Sequence, residues 1–400
     1  MIEAIPILRR VAVAGLLVVL VGAGGVIAAD ADQHQHAATP QRKARPELGT
    51  SAAIDALGRW WAVLVDQGRV ELHQSADGAA WSRRAVVSPP GEAVSANGES
   101  RPKLAFGRDG LLYIAWTSPT AGRFNGDIRF ARSLDGGQTF TPPLTVHADR
   151  SPITHRFESM LVDAQGRIFI AWLDRRDNEA AKGKGELYAG FSVYYAVSAD
   201  DGASWRGDYR LAAHSCECCR IALSADRDGQ PLAMWRQIFD GERDHALARL
   251  NPDGAPAVVE RATFDHWRVN ACPDHGPGIA VDGDGVRHAV WFNQREGQAG
   301  VFYGRLLPGR VEGQQRLPDG AQHADIVADG VRVWVVWKRF DGEQTLIEGQ
   351  VSADGGQHWS PLALASTRGD SDQPRLLSRD GAAWLVWRTR DENLVVRRLP

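Results

Sequence analysis

Apolar residues recur along the chain in short runs that end in Trp: Leu112–Trp116, Ile168–Trp172, Leu232–Trp235, His288–Trp291, Val333–Trp337 and Trp384–Trp387. Trp60–Leu64 has the same form with Leu in place of the last Trp. Apolar runs this short predict strands rather than helices. From Leu64 to Trp387 there are six steps averaging about 54 residues, the length of a four-stranded sheet with its loops. The pattern predicts seven repeating units, with six as the alternative count. The last unit stops after a third strand over 394–398, so the segment around Arg42 to Thr50 is expected to supply the missing fourth strand and close the ring. Closure would remove the exposed sheet edges.

A second periodic signal lies between these runs. Ser133-Leu134-Asp135-Gly136-Gly137-Gln138-Thr139-Phe140, Ser198-Ala199-Asp200-Asp201-Gly202-Ala203-Ser204-Trp205 and Ser352-Ala353-Asp354-Gly355-Gly356-Gln357-His358-Trp359 share one pattern, and Ser75-Ala76-Asp77-Gly78-Ala79-Ala80-Trp81 is one residue short of it. Ser, Asp and Gly build a hydrogen-bonded turn between two strands, and the aromatic tucks beneath it. These are Asp boxes. On this spacing, over residues 50–400, they resemble the sialidase and Asp-box (BNR) repeat superfamily of β-propellers. The resemblance implies a single all-β propeller domain, with the boxes on the face opposite the ligand. It leaves activity open, because the fold hosts binders and several hydrolases. Sialidases of this superfamily have six blades, so a count of seven departs from them.

The chain begins with Arg9 and Arg10 followed by an uncharged run from Val11 to Ala29, then Ala29-Asp30-Ala31, which has the form of an export signal with an A-x-A cleavage site. The run has the length to span a bilayer, so a retained anchor is the other reading. The organisation expected is a signal segment over 1–31, a polar linker over 32–49 and the propeller over 50–400, in a periplasmic or secreted protein. Membrane contact follows only if the signal is retained. The formal net charge is -3, which gives no global attraction to nucleic acid. A monomer is expected. Of the 46 basic residues only five are Lys: Lys43, Lys103, Lys182, Lys184 and Lys338. Arg grips planar anions in a two-pronged way that Lys cannot copy.

Where those arginines fall changes the picture. In propellers of this kind the first strand of each unit starts, and the second ends, at the ligand face. These positions carry Arg101, Arg156, Arg175, Arg220, Arg236 and Arg295. They are the candidate contacts for an anionic or carbohydrate ligand. Enzymes of the sialidase type use three arginines on the substrate carboxylate, an Asp acid and a Tyr nucleophile beside a Glu; the resemblance implies Asp174 as acid, with Tyr188, or Tyr194 or Tyr195, paired at best with Glu158 or Glu186. The late Tyr of that family is missing, since the matching stretch reads Asp370-Ser371-Asp372-Gln373-Pro374-Arg375. An exported propeller that binds an anionic or glycan ligand is therefore the first reading, and an exo-α-sialidase the alternative.

All four cysteines fall in two segments, His214-Ser215-Cys216-Glu217-Cys218-Cys219-Arg220 and Asn270-Ala271-Cys272-Pro273-Asp274-His275. Both open first strands of adjacent units. Two readings stay open: disulfides, natural in an exported protein, or a copper or zinc site made by Cys216, Cys218, Cys219 and Cys272 with His214 and His275. Cleavage after Ala31 would also leave Asp32-Gln33-His34, followed by His36, as an amino terminus suited to square-planar Cu(II) or Ni(II).

Overall fold

The computed structural model describes residues 48–400 apart from Asn270 and Cys272. The signal segment 1–31, the cleavage site, His34 and His36, nearly all of the linker and the Arg42 end of the predicted closing strand lie outside the described residues. Thr50 opens the first strand of the first sheet instead. Among the described residues no helix is long and apolar enough to cross a membrane.

The protein is all-β, built from antiparallel meanders in which each strand pairs with the next in sequence. Thr50–Ile54, Trp60–Asp66, Arg69–Ser75 and Ser82–Val86 form the first sheet, and Lys103–Phe106, Leu112–Pro119, Gly126–Ser133 and Leu144–Thr145 the second. An eight-stranded sheet follows. It consists of two meanders, His155–Val162 to Arg206–Ser215 and Ala222–Ala225 to Glu260–Arg261, joined only through Ser215 opposite Gln237. Two further four-stranded sheets start at Gly278–Val281 and Gln322–Asp329, and a three-stranded sheet of Arg375–Arg379, Ala382–Thr389 and Asn393–Arg398 ends the chain. Every run predicted from the Trp pattern lies on the second strand of its meander. The first strands touch one another in sequence order, and the last, Arg375–Arg379, returns to Thr50–Ile54. The result is a closed ring around an axis.

The core sits between consecutive meanders rather than on one sheet. Trp61 and Val63 pack with Ile114 and Trp116 of the next sheet, and Tyr113 and Phe130 pack in turn with Ile170 and Trp172. Trp61, Trp116, Trp172, Trp235, Trp291, Trp334 and Trp387 are fully buried, one from each meander. In the sixth repeat the most enclosed position falls to Trp334, whose indole N–H donates to the Pro400 carbonyl at 2.7 Å, while Trp337 is 4% exposed. The ring closes through side chains: Trp60 meets Trp384 edge-on at 5.5 Å, Arg388 donates to the Val65 carbonyl at 2.9 Å, and Arg379 donates to the carbonyls of Asp55 and Ala56.

The four Ser-x-Asp turns each connect a third strand to the fourth-strand segment, starting at Ser75, Ser133, Ser198 and Ser352. At Ser133 the hydroxyl donates to Asp135 Oδ1 at 2.8 Å and accepts from Gly137 N–H at 2.8 Å, and Asp135 Oδ1 accepts from Thr139 N–H at 2.9 Å. The same bonds recur at Ser198 and Ser352. Gly202 needs its positive φ of 80°, and a Cβ there would fall 2.4 Å from Phe130 of the preceding meander. The turns therefore also lock one sheet to the next.

Two outcomes are expected. Replacing the fully buried Trp172 by Ala should cost about 3–5 kcal/mol in urea unfolding, whereas Trp81→Ala, at a partly buried turn, should cost far less; equal losses would refute an inter-sheet Trp core. The Asp turns should make stability acid-sensitive. Asp200, with burial opposing and Ser204 lowering, sits at about 2 against an ordinary 3.8. A carboxyl depressed on folding stabilises above its unfolded value and loses that contribution as pH falls through its folded one. The drop in urea midpoint from pH 6 to pH 3 should therefore be smaller in Asp200→Asn than in the parent, and an equal drop would show that the turn does not report on folding.

Candidate functional site

One rim of the ring is fixed by strand register. His155, which starts a first strand, lies opposite Asp174, which ends a second, and Gln322 lies opposite Lys338 in the same way. The loop before Lys103–Phe106 reaches from this rim to the axis. Its shape is local: Asn97 Oδ1 accepts from the N–H groups of Glu99 and Ser100 at 3.0 and 2.7 Å, a side-chain-made turn. The Gly98 carbonyl accepts from Arg101 Nε and Nη2 at 2.9 and 2.7 Å.

At the tip of that loop Glu99 is buried on the axis, and donors from four other meanders converge on it. Arg220 Nη1 lies 2.6 Å from Oε1, the N–H groups of Arg220 and Gly276 lie 3.1 and 2.8 Å from Oε2, Gln373 Nε2 lies 3.2 Å from Oε1, and His323 Nδ1 lies 3.5 Å away. Burial opposes ionisation of Glu99, but Arg220 and then His323 outweigh it and hold the carboxyl well below its usual range. Gln373 Oε1 accepts from Arg101 Nη2 at 2.8 Å, and Asp372 Oδ1 stands 3.5 Å from the same nitrogen. The mouth is thereby plugged at its centre.

Three of the predicted ligand arginines belong to this plug or to the wall around it and do not face solvent: Arg101 is 3% exposed, Arg220 6% and Arg236 1%. Arg236 donates to the carbonyls of Phe292 and His275 at 2.6 and 3.3 Å and stacks on Trp267. The other three stand further out. Arg156 donates to Ser95 Oγ at 3.2 Å with its guanidinium over Phe157, Arg175 pairs with Glu179 at 2.8 Å, and exposed Arg295 donates to Gln314 at 2.9 Å.

Beneath the plug, inside the ring of first strands, runs a cavity of about 400 Å³. Arg101, Lys103, Arg220 and Arg375 line it together with Asp325. Lys103 Nζ donates to the Arg101 carbonyl at 2.5 Å and stands 3.8 Å from Glu158, while Arg375 pairs with Asp325 at 3.3 Å. Burial, and then Arg101, Arg375 and Arg220 against the pull of Glu158, bring the Lys103 ammonium down to about 8. Arg375 falls to about 10, through burial and then the cations Arg101 and Arg220, with Asp325 opposing. Cations crowded enough to lower one another favour an anion between them.

The residues predicted for sialidase chemistry are not brought together. Asp174 is fully buried and accepts from Trp172 Nε1 at 2.8 Å and from Arg176 N and Nη2 at 2.9 and 2.6 Å, so it anchors the start of the helix Arg176–Gly183 instead of facing the mouth. Glu158 accepts from Thr117 at 2.5 Å and is near Lys103. Tyr188 hydrogen-bonds Ser192 at 2.6 Å, and Ser192 donates to Asp177. Burial pushes the Tyr188 phenol up, the wrong direction for a nucleophile.

Three of the cysteines do meet. The sulfurs of Cys216 and Cys218 are 3.7 Å apart, and each lies 3.9 Å from that of Cys219. The fourth, Cys272, lies outside the described residues. A hydrogen bond from Cys219, followed by the cations Arg243 and Arg236, holds the Cys216 thiol down to about 6 against burial, and the same bond with burial pushes Cys219 up. Neither predicted histidine joins them in a metal-ligating group. Exposed His214 faces the Ala189 carbonyl and stacks on Tyr188, and His275 stacks between Phe292 and His323.

No protein-family model matches the sequence, and no curated protein matches it. Solved structures do. A polysaccharide lyase of family PL25, an ulvan lyase bound to -[GlcA(1-4)Rha3S]-, superposes with a TM-score of 0.55 at 10% identity, covering 88% of this chain and 93% of that one. Polysaccharide lyase Uly1 gives 0.53 at 9% identity over 92% of both chains, and the α-L-arabinofuranosidase Arb93a of Fusarium graminearum 0.50 at 12% over 79% of this chain and 92% of that one. The fold they share with this chain is an all-β propeller. At such identities the likeness is one of architecture.

Glu99 was not among the residues that the sequence pattern singled out. No local signal sets it apart, since Glu158, Asp274, Asp325 and Asp372 are acids at comparable first-strand starts. Glu99→Ala should cost about 3–5 kcal/mol in urea unfolding, because Arg220 would stay buried with its charge uncompensated. The double variant Glu99→Ala with Arg220→Met should recover a large part of the loss. A neutral single variant would show that the plug contributes nothing to closure.

Proposed function

We propose that the protein is an exported propeller of seven blades that binds the anionic group of a carbohydrate or other ligand at its axial cations. The blade count is supported by the first strands, which follow one another around the ring, and by the single residue pair that joins the two halves of the eight-stranded sheet. The observation that carries the binding site is the crowding of Arg101, Lys103, Arg220 and Arg375 around one cavity, close enough to bring Lys103 down to about 8. The trio of Cys216, Cys218 and Cys219, with sulfurs within 3.9 Å of one another, supports either a disulfide staple or a soft metal such as copper or zinc. An exo-sialidase is disfavoured by the raised Tyr188 phenol and by the enclosure of Asp174.

Calorimetry with a sulfated, glucuronate-containing oligosaccharide should give saturable binding. Lys103→Met should weaken it at least about tenfold, the loss of one charge-assisted contact worth roughly 1.4 kcal/mol, and exposed Arg295→Ala should leave it unchanged. Because neutral Lys103 attracts no anion, affinity should fall as pH rises through about 8, with the midpoint moved upward by bound ligand. Binding that ignores Lys103, or turnover of a fluorogenic α-sialoside that is lost in Asp174→Asn, would overturn the reading, the second outcome in favour of a hydrolase.

A further inference from the structure

The plug and the cavity beneath it set a direction of entry. Phe106, which ends a first strand, lies opposite Leu112, and Leu112 lies opposite Ser133, which opens a Ser-x-Asp turn. First strands therefore run from the rim to the face that carries those turns. At the rim the axis is shut: Glu99, Arg101, Arg220 and Gln373 are each no more than 6% exposed and bond to one another across it. At the other end, among the described residues, the cavity wall reaches exposed Ala225 and Ser378, close to the ends of Ala222–Ala225 and Arg375–Arg379. Charge along the cavity is one-sided as well. Its charged lining is Arg101, Lys103, Arg220, Arg375 and Asp325, and the wall beyond them is uncharged down to Val281, Ala328 and Ser378. The side chains of Lys103 and Arg375 are 16% and 34% exposed although they lie below the plug. Inside the ring that surface is cavity wall.

We propose that this cavity is a blind axial channel, entered from the Ser-x-Asp face, that takes an oxyanion carried on a free chain end and rejects the same group in the interior of a polymer. The inference rests on anion binding at the axial cations and adds the route and the part of the ligand that is read. First strands of four or five residues, at about 3.3 Å per residue, make the channel roughly 13–17 Å deep. An internal unit cannot reach the bottom of such a channel, because the chain on both sides of it would have to return through the same opening. An end can. Low-dielectric walls focus the field of the cations along the bore and draw an anion inward, and guanidiniums at the closed end suit the paired oxygens of a sulfate or carboxylate. A cation has no place there, since Asp325, the acid of the lining, is already paired with Arg375 at 3.3 Å. A free inorganic oxyanion shares the chemistry of a charged chain end and would occupy the same place.

The test is calorimetry of the full-length protein near neutral pH with inorganic sulfate, with an oligosaccharide sulfated on its terminal unit only, and with one of the same length sulfated on internal units only. The terminally sulfated chain should bind, and the internally sulfated one should bind at least about tenfold more weakly. Ser378→Trp, which sets a large side chain at the open end, should weaken the terminally sulfated chain by at least about tenfold, while Arg295→Ala at the rim should leave it unchanged. Sulfate that binds as tightly as the terminally sulfated chain supports the channel with a free oxyanion as its occupant, and a tighter chain supports the chain end. The comparison of ligands needs no substitution, so it decides the matter even if Ser378→Trp misfolds. Equal binding of the internally sulfated chain, lost in Lys103→Met, overturns the blind channel and leaves the axial cations as the binding site, and so does undiminished binding in a folded Ser378→Trp protein. If none of the ligands binds, both readings fall.

Discussion

The buried Glu99 carboxylate ties the ring at its axis. A propeller has no single core: its apolar contacts are made pairwise between neighbouring sheets, and nothing in them prevents the circle from opening at one junction. Here the junction between the last sheet and the first is made by one Trp pair and by arginines on carbonyls, among the described residues. Glu99 acts across that weakness. It comes from the loop that enters the second sheet and is held by Arg220, Gly276, His323 and Gln373, which belong to four later ones. Buried Arg220 needs the carboxylate charge, and the carboxylate needs Arg220 and His323 to stay ionised against its burial. The cost of a half-made network enforces the whole.

That arrangement explains both what the sequence revealed and what it hid. The Trp-ended runs and the Ser-x-Asp turns are local and repeated, so a period of about fifty residues was enough to place every second strand and all four turns. The rim position of the arginines was legible for the same reason. Their direction was not. Arg220 meets Glu99 from 121 residues away and Arg101 meets Gln373 from 272 away, and no local pattern encodes a partner at that distance. Arginines that would read as hands held out to a ligand turn inward to the axis, and the cations lining the cavity below them include Lys103, one of only five lysines, which the pattern did not single out. Tyr188 and Asp174 failed to assemble for a related reason: the resemblance supplied roles, but Ser192, Asp177 and Arg176 stand beside them in this chain and take up their polar atoms.

The plug also bears on the sulfur chemistry. Cys219 is followed directly by Arg220, whose backbone and side chain both end on Glu99. On the other side of the same carboxylate Gly276 donates its N–H, and a Cβ at that position would fall 2.2 Å from Arg220 Cγ, so the approach admits only glycine. At its other end the segment is held where Ser215 pairs with Phe191 and Gln237. The backbone from Ser215 to Arg220 is thus clamped at both ends, and the three sulfurs it carries stand less than 4 Å apart. The contacts that close the propeller at its axis therefore also fix the cysteine trio, beside the cavity rather than in its lining.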